Sequence, residues 1–197
     1  ILQHALSQIW LAADHGQKEM DLVHYAMVGG MPAHELPDEE QPEFQNWFIS
    51  LPEIRQKYFQ HTGLNKVIEI HASVLYENAW EYHNKTYPYR TITQQDAKRI
   101  IALTFSCLTK IDNSRAVRNR MSLGEITGII NSPSITTEVV SEVLSIYREE
   151  GNSFIRPFKT KDPDTQKISP DTVLDITHES LIRNWNKLNS WANQEFE

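Results

Sequence analysis

The sequence predicts a mainly α-helical protein in two parts: a helical region over 1–92, then helices with a small β-hairpin over 93–197. Apolar residues recur at spacings of three and four through most of the chain, which is typical of amphipathic helices. Two runs rich in β-branched and aromatic residues, 153–158 and 172–177, are separated by a turn-rich segment, which is typical of a hairpin.

The first region contains three helical patterns and one long interruption. The patterns cover 1–13, 20–30 and 64–83, and Gly29-Gly30 can end the second helix. Within the interruption, residues 31–44 are rich in proline and acidic side chains, which predicts a surface loop. The aromatic and apolar residues that follow, up to Phe59, predict one or two short helices packed against the body.

The second region follows the element order of a winged-helix domain. Thr93 and Asp96 predict the start of a helix whose apolar face reaches Ile111. Ser122 and Glu125 form a capping box that opens a second helix, and a third is predicted over 135–150. The hairpin and a final helix complete the order.

The stretch from Val173 to Trp191 leads a short strand into the final amphipathic helix. Thr177 occupies the position expected for the N-cap, and His178 falls in the first turn. Backbone N–H groups lack helical partners there and attract anions. His178 is therefore the candidate site residue for contact with an anion.

Composition argues against several classes of protein. The formal net charge is −7, with 6 Lys/Arg against 12 Asp/Glu in residues 1–93 and 13 against 14 in residues 94–197. Neither half has the basic surplus of a nucleic-acid-binding protein. The single cysteine, Cys107, excludes an intrachain disulfide and predicts a small buried side chain. No apolar run is long enough to span a bilayer, so we expect no membrane contact.

An enzyme active within this chain is not expected. His178-Glu179 is not the zinc motif H-E-x-x-H, because Ile182 holds the fourth place after the histidine. The histidines show no metal-ligand spacing, and neither G-x-S-x-G nor a phosphate-binding glycine loop occurs. We therefore expect no catalytic residues, no metal and no cofactor held by this chain.

Two stretches resemble a known family. The run ITHESLIRNW, from Ile176 to Trp185, resembles the end of the winged-helix domain in the STAND-type NTPases, which are multidomain signal-transduction ATPases. The opening ILQHALSQIW resembles the helix that follows the nucleotide-binding domain in the bacterial novel-STAND group. Tyr25 with Gly29-Gly30 and His71-Ala72 occur in the family order, whereas 31–62 is an insertion. Whether that insertion is a contact surface or a decorated loop stays open.

The resemblance implies a regulatory role. In the family, the histidine at the position of His178 contacts the β-phosphate of ADP. Residues 1–92 would form the helical arm and 93–197 the winged-helix domain, both closing on the nucleotide-binding domain of the same polypeptide. Exchange of ADP for ATP would release them and allow oligomerisation. The ADP or ATP, with Mg²⁺, would belong to a longer, cytoplasmic, bacterial protein.

A DNA-binding transcription regulator is the alternative, because winged helices commonly read DNA with their third helix. The predicted third helix and its end carry four glutamates, which a duplex would repel: Glu138, Glu142, Glu149 and Glu150. Arg115, Arg118 and Arg120 could meet a phosphate, but three arginines also suit a solvated or salt-bridged edge. The charges therefore argue against nucleic acid as a partner.

Overall fold

The computed structural model describes residues 1–113 and 115–194, so Ser114 and the last three residues of the predicted 93–197 region lie outside the described residues. The protein is mainly helical with a few small antiparallel strands, as the sequence predicts. The chain divides into two compact units, Ile1–Glu77 and Asn78–Glu197. Among the described residues, none of the helices has the length and apolar content needed to cross a membrane.

The first unit is built from short helices. In order they are α1 (Leu2–Ala12), α2 (Leu22–Met27), a 3-10 turn (Ala33–Glu35), α3 (Gln41–Ser50), α4 (Glu53–Gln56), a second 3-10 turn (Lys57–Gln60) and the first part of α5 (Val67–Thr86). Asp21 and His24 cap α2 reciprocally. Gly29 follows α2 with φ +82°, so a glycine ends this helix as predicted.

The 31–62 segment packs into the core of the first unit. Leu36 and Phe44 are buried together with Val23 and Ala26 of α2, and Trp47 and Phe48 pack on the same cluster. The Glu40 carboxylate accepts the Val23 N–H at 2.5 Å. The two short helices predicted here are confirmed as α3 and α4. The surface-loop prediction for 31–44 holds only in part, because buried apolar side chains fix the segment and α3 begins at Gln41.

The second unit contains the remaining elements. They are the end of α5, α6 (Gln94–Cys107), β1 (Thr109–Asp112), β2 (Arg115–Arg118), β3 (Met121–Ser122), α7 (Leu123–Ile130), α8 (Thr137–Arg148), β4 (Ile155–Arg156), α9 (Pro163–Gln166), β5 (Val173–Ile176), α10 (Glu179–Asn184) and α11 (Asn186–Gln194). The caps at Thr93 and Ser122 are both confirmed, since each hydroxyl accepts the backbone N–H three residues ahead.

Two small antiparallel sheets accompany these helices. β1 and β2 form a hairpin, and β3, β5 and β4 form a three-stranded sheet in that order. Met121 pairs with Leu174, and Ile155 pairs with Ile176. The predicted hairpin between the two C-terminal runs is thus present as β4–β5. The β1–β2 hairpin corrects the prediction that the helix face continues to Ile111, because α6 ends at Cys107.

The aromatic centre of the second unit joins α6, α8 and the C-terminal helices. The Phe105 ring lies 5.0 Å from that of Trp185 and 5.1 Å from that of Tyr147, both edge-on. All three side chains are fully buried. Cys107 is also buried, as its place in the apolar pattern predicts. This core fixes β5 and the start of α10, which carry the candidate site.

Candidate functional site around His178

His178 stands at the junction between β5 and α10. The Thr177 N–H donates to the Phe154 carbonyl at 2.9 Å, and the Leu181 N–H donates to the His178 carbonyl at 2.9 Å. His178 itself, with extended backbone, is therefore the N-cap of α10. This corrects the prediction of Thr177 as the cap. The Thr177 hydroxyl is buried and finds no hydrogen-bond acceptor or donor among the described residues.

The final helix also differs from the prediction of one continuous helix. α10 spans Glu179–Asn184, and Trp185 then turns extended with ψ 101° before α11 begins. The Asn184 amide donates to the Ser180 carbonyl at 2.7 Å, and the Trp185 indole enters the core. Because of this break, only one short helix begins at His178. The dipole of that helix therefore contributes less to the electrostatic potential at the ring than the neighbouring charged side chains do.

His178 is half-buried. Burial lowers the pKa of His178 below its ordinary value of 6.5, and the positive charges of Arg156 and Arg118 lower it further. The ring is therefore neutral at pH 7. A neutral imidazole takes up a proton more readily when an anion binds, since added negative charge favours the cation.

Arg118 is held next to the site by β5. Its Nη1 donates to the Ile176 carbonyl at 3.2 Å and lies 3.7 Å from Asp175 Oδ2. Arg120 Nε donates to the same carboxylate oxygen at 3.1 Å. Asp175 Oδ1 is buried without a hydrogen-bond partner in the described part of the chain. The sequence singled out both arginines, but not the aspartate that orients them.

A cavity of about 520 Å³ opens beside this cluster. Its polar lining comes from Lys110, Arg118, Asn119, Arg120, Asp175 and Glu179. Glu179 is also engaged by Arg183 at 2.8 Å. The lining holds three cationic side chains and two carboxylates, a net charge of +1, and Asp175 pairs with both arginines. His178 is not among the residues that line this cavity. The position of Asp175 between the apolar residues Leu174 and Ile176 of β5 is the sequence signal that could have identified it.

No known protein family, curated protein or solved structure matches this chain. The candidate site therefore has to be judged on the chemistry of its own residues.

The third helix of the unit, α8, offers little free surface. Residues from Val143 to Arg148 are all buried, and the Arg148 side chain is fully enclosed. Glu142 accepts from Arg90 at 3.3 Å and lies 3.2 Å from His83 Nε2, so the end of α5 and the segment after it cover this side of the helix. What remains exposed on α8 includes Glu138.

Three other histidines, His4, His24 and His71, make side-chain contacts within the first unit. His71 Nδ1 lies 3.0 Å from His4 Nε2, within hydrogen-bond distance. His24 Nδ1 accepts the Asp21 N–H at 3.1 Å. Within residues 1–113 and 115–194, no group of three His, Cys, Asp or Glu side chains is placed to hold a metal ion.

Proposed function

We propose that this chain is a regulatory module of a multidomain STAND-type NTPase, and that His178 contacts a terminal phosphate of ADP held by the nucleotide-binding domain of the same polypeptide. The observation that carries the proposal is the state of His178. His178 is half-buried, lies at a defined strand-to-helix junction, and has a pKa lowered by burial and by the positive charges of Arg156 and Arg118. A phosphate reaching this position would meet cations and a proton-accepting imidazole.

The topology of the second unit supports a winged-helix assignment. Three helices, α6, α7 and α8, precede a three-stranded antiparallel sheet in the order β3-β5-β4. The β4–β5 connection corresponds to the wing, and α10 follows the last strand. The β1–β2 hairpin is an addition between the first helix and the first strand of that arrangement.

The switching mechanism follows from charge. Without a phosphate, burial and the two arginines keep His178 neutral. A phosphate oxygen reverses this balance, so His178 takes up a proton and donates a charge-assisted hydrogen bond worth about 1.5–3 kcal/mol. That is enough to bias a two-state equilibrium about ten-fold or more, but it does not hold the closed state alone. Loss of ADP would remove the contact and release the module, allowing the full protein to assemble.

The DNA-binding alternative has weaker support. A DNA-recognition helix must present an exposed face that is neutral or basic to the major groove. α8 is covered near Glu142 by His83 and Arg90, its one arginine is enclosed, and Glu138 is exposed. Binding of duplex DNA by the 197-residue chain at ~0.15 M salt would favour the alternative over the regulatory proposal.

The decisive experiment uses the multidomain polypeptide that carries this module. His178→Ala should release bound fluorescent ADP about ten-fold faster or more and raise basal activity, because one charge-assisted bond is lost. His34→Ala is the matched control, since that side chain is 81% exposed and belongs to the other unit. If His178→Ala retains ADP as well as the parent and remains inactive, the nucleotide contact is refuted.

The chain alone should bind ADP weakly or not at all, because its sequence contains no phosphate-binding glycine loop. Titration calorimetry of the 197-residue chain with ADP checks this expectation. Tight binding would mean that the nucleotide site lies within the chain, contrary to the proposal.

A further inference from the structure

A cavity of about 150 Å³ lies within the first unit, away from His178. Val67 and Ile70 of α5 form its buried floor, while Met27, Trp47, Phe59 and Val74 are half-buried around it. Half-buried walls above a buried floor make the cavity accessible from solvent. An apolar cavity of ~150 Å³ is large enough for one benzene-sized ring.

One wall of the cavity comes from the 31–62 segment. Trp47, Leu51, Arg55 and Phe59 all belong to it. The Trp47 and Phe59 rings meet edge-on with centroids 5.4 Å apart. Aromatic walls favour an aromatic guest, because ring pairs gain edge-to-face or offset contacts beyond the area they bury.

The polar part of the lining is positive or neutral. Gln8, Arg55 and His71 supply hydrogen-bonding groups, and neither Asp nor Glu lines the cavity within the described residues. Arg55 is therefore the permanently charged group of the lining, and its guanidinium pairs well with a carboxylate.

We propose that this cavity binds a small aromatic carboxylic acid, with the ring between Trp47, Phe59 and Val74 and the carboxylate on Arg55. A binding site with mostly apolar walls and a few polar groups is the usual architecture for a small-molecule ligand. The site is independent of the His178 proposal, and it gives the 31–62 segment a role that the regulatory mechanism does not supply.

Benzoate and its neutral isostere benzamide are the probes, added to the 197-residue chain and followed by NMR. Benzoate should shift the Trp47 indole and the Ile70 and Val74 methyl resonances, and it should bind at least ten-fold more tightly than benzamide. This mapping needs no variant. Absence of shifts at ~10 mM benzoate, where a Kd of about 1 mM would already give near-saturation, overturns the proposal. Shifts confined to other residues also overturn it.

Two variants with matched controls test the assigned contacts. Val74→Phe fills the cavity and should abolish binding, whereas Val173→Phe makes the same change at a 54% exposed position and should not. Arg55→Gln should remove the preference for benzoate over benzamide, whereas Arg115→Gln, an exposed arginine of the second unit, should preserve it. Unchanged benzoate binding in a folded Val74→Phe protein, or an unchanged preference in Arg55→Gln, overturns the assignment. Should Val74→Phe fail to fold, the chemical-shift mapping and Arg55→Gln decide.

Discussion

His83 Nε2 lies 3.2 Å from Glu142 Oε2, which joins the end of α5 to α8 across 59 residues of sequence. His83 is fully buried, and the Glu142 side chain is 13% exposed. Arg90 meets the other oxygen of the same carboxylate at 3.3 Å. Glu142 therefore joins two side chains, His83 and Arg90, and this carboxylate of α8 serves internal contacts.

Removing His83 should destabilise the protein. His83→Ala leaves a cavity and takes a partner from Glu142, so we expect the free energy of unfolding to fall by about 2–3 kcal/mol in urea denaturation. His34→Ala, at an exposed position, should change it by less than about 0.5 kcal/mol. Equal effects of the two substitutions would contradict a structural role for the His83–Glu142 contact.

Two glycines should respond in opposite directions to the same change. A Cβ at Gly30 would lie 1.7 Å from Tyr25 Cε2, so Gly30→Ala should destabilise by about 1–3 kcal/mol through overpacking. A Cβ at Gly128 of α7 meets no atom of the described residues within 4 Å, so Gly128→Ala should stabilise by about 0.5–1 kcal/mol. Thermal denaturation of both variants measures the two changes in stability. If Gly30→Ala also stabilises the protein, the Tyr25 ring moves to make room for the methyl group.

Arg148 should hold the β4–β5 connection in place. Its Nε donates to the Pro157 carbonyl at 2.8 Å and its Nη2 to the Thr165 carbonyl at 2.9 Å. Burial lowers the pKa of Arg148, because no carboxylate within the described residues forms an ion pair with it. Arg148→Lys supplies a single ammonium group that cannot replace the planar fork, so the connection should loosen.

Hydrogen exchange checks the Arg148 prediction locally. The Lys159 N–H donates to the Arg148 carbonyl at 2.7 Å and should exchange at least about ten-fold faster in Arg148→Lys. The control is Lys161→Arg, which exchanges the same two residue types in the reverse direction at an exposed position. It should leave the exchange rate of the Lys159 N–H unchanged. Unaltered protection of Lys159 in Arg148→Lys would mean that the connection is held by other contacts.

His178 should make stability depend on pH in the acidic direction. Because its folded pKa is lowered from 6.5, the stabilisation is complete above pH 6.5 and is lost as pH falls from there toward the folded pKa. The unfolded chain binds the proton first, which favours unfolding. NMR titration should give His178 a pKa below 6.5, and His178→Gln should reduce the loss of stability over this range. A His178 pKa at or above 6.5 would contradict both the burial and the charge argument.

Local signals in the sequence predicted much of the fold. The caps at Thr93 and Ser122, the glycine after α2 and the burial of Cys107 each follow from neighbours within one helical turn. The strands β4 and β5 were also predicted from their β-branched content, with boundaries slightly too wide.

Long-range contacts account for the errors. The apolar spacing up to Ile111 that predicted a longer helix is equally compatible with a strand. In the structure Ile111 pairs with Ala116, and this pairing forms the β1–β2 hairpin. Asn113, with φ 47°, is the turn residue that could have signalled it. Likewise, the final helix breaks at Trp185 because the indole packs edge-on against Phe105, and burial of that ring outweighs local helix continuity.

The sequence by itself determined that His178 lies where a short strand gives way to a helix, because the strand and helix patterns occupy adjacent residues. Only the tertiary structure decided what surrounds that ring. Arg118 reaches the Ile176 carbonyl across 58 residues, and Arg120 reaches Asp175 across 55. Such contacts depend on how separate elements pack around a shared core, and no local pattern specifies that packing.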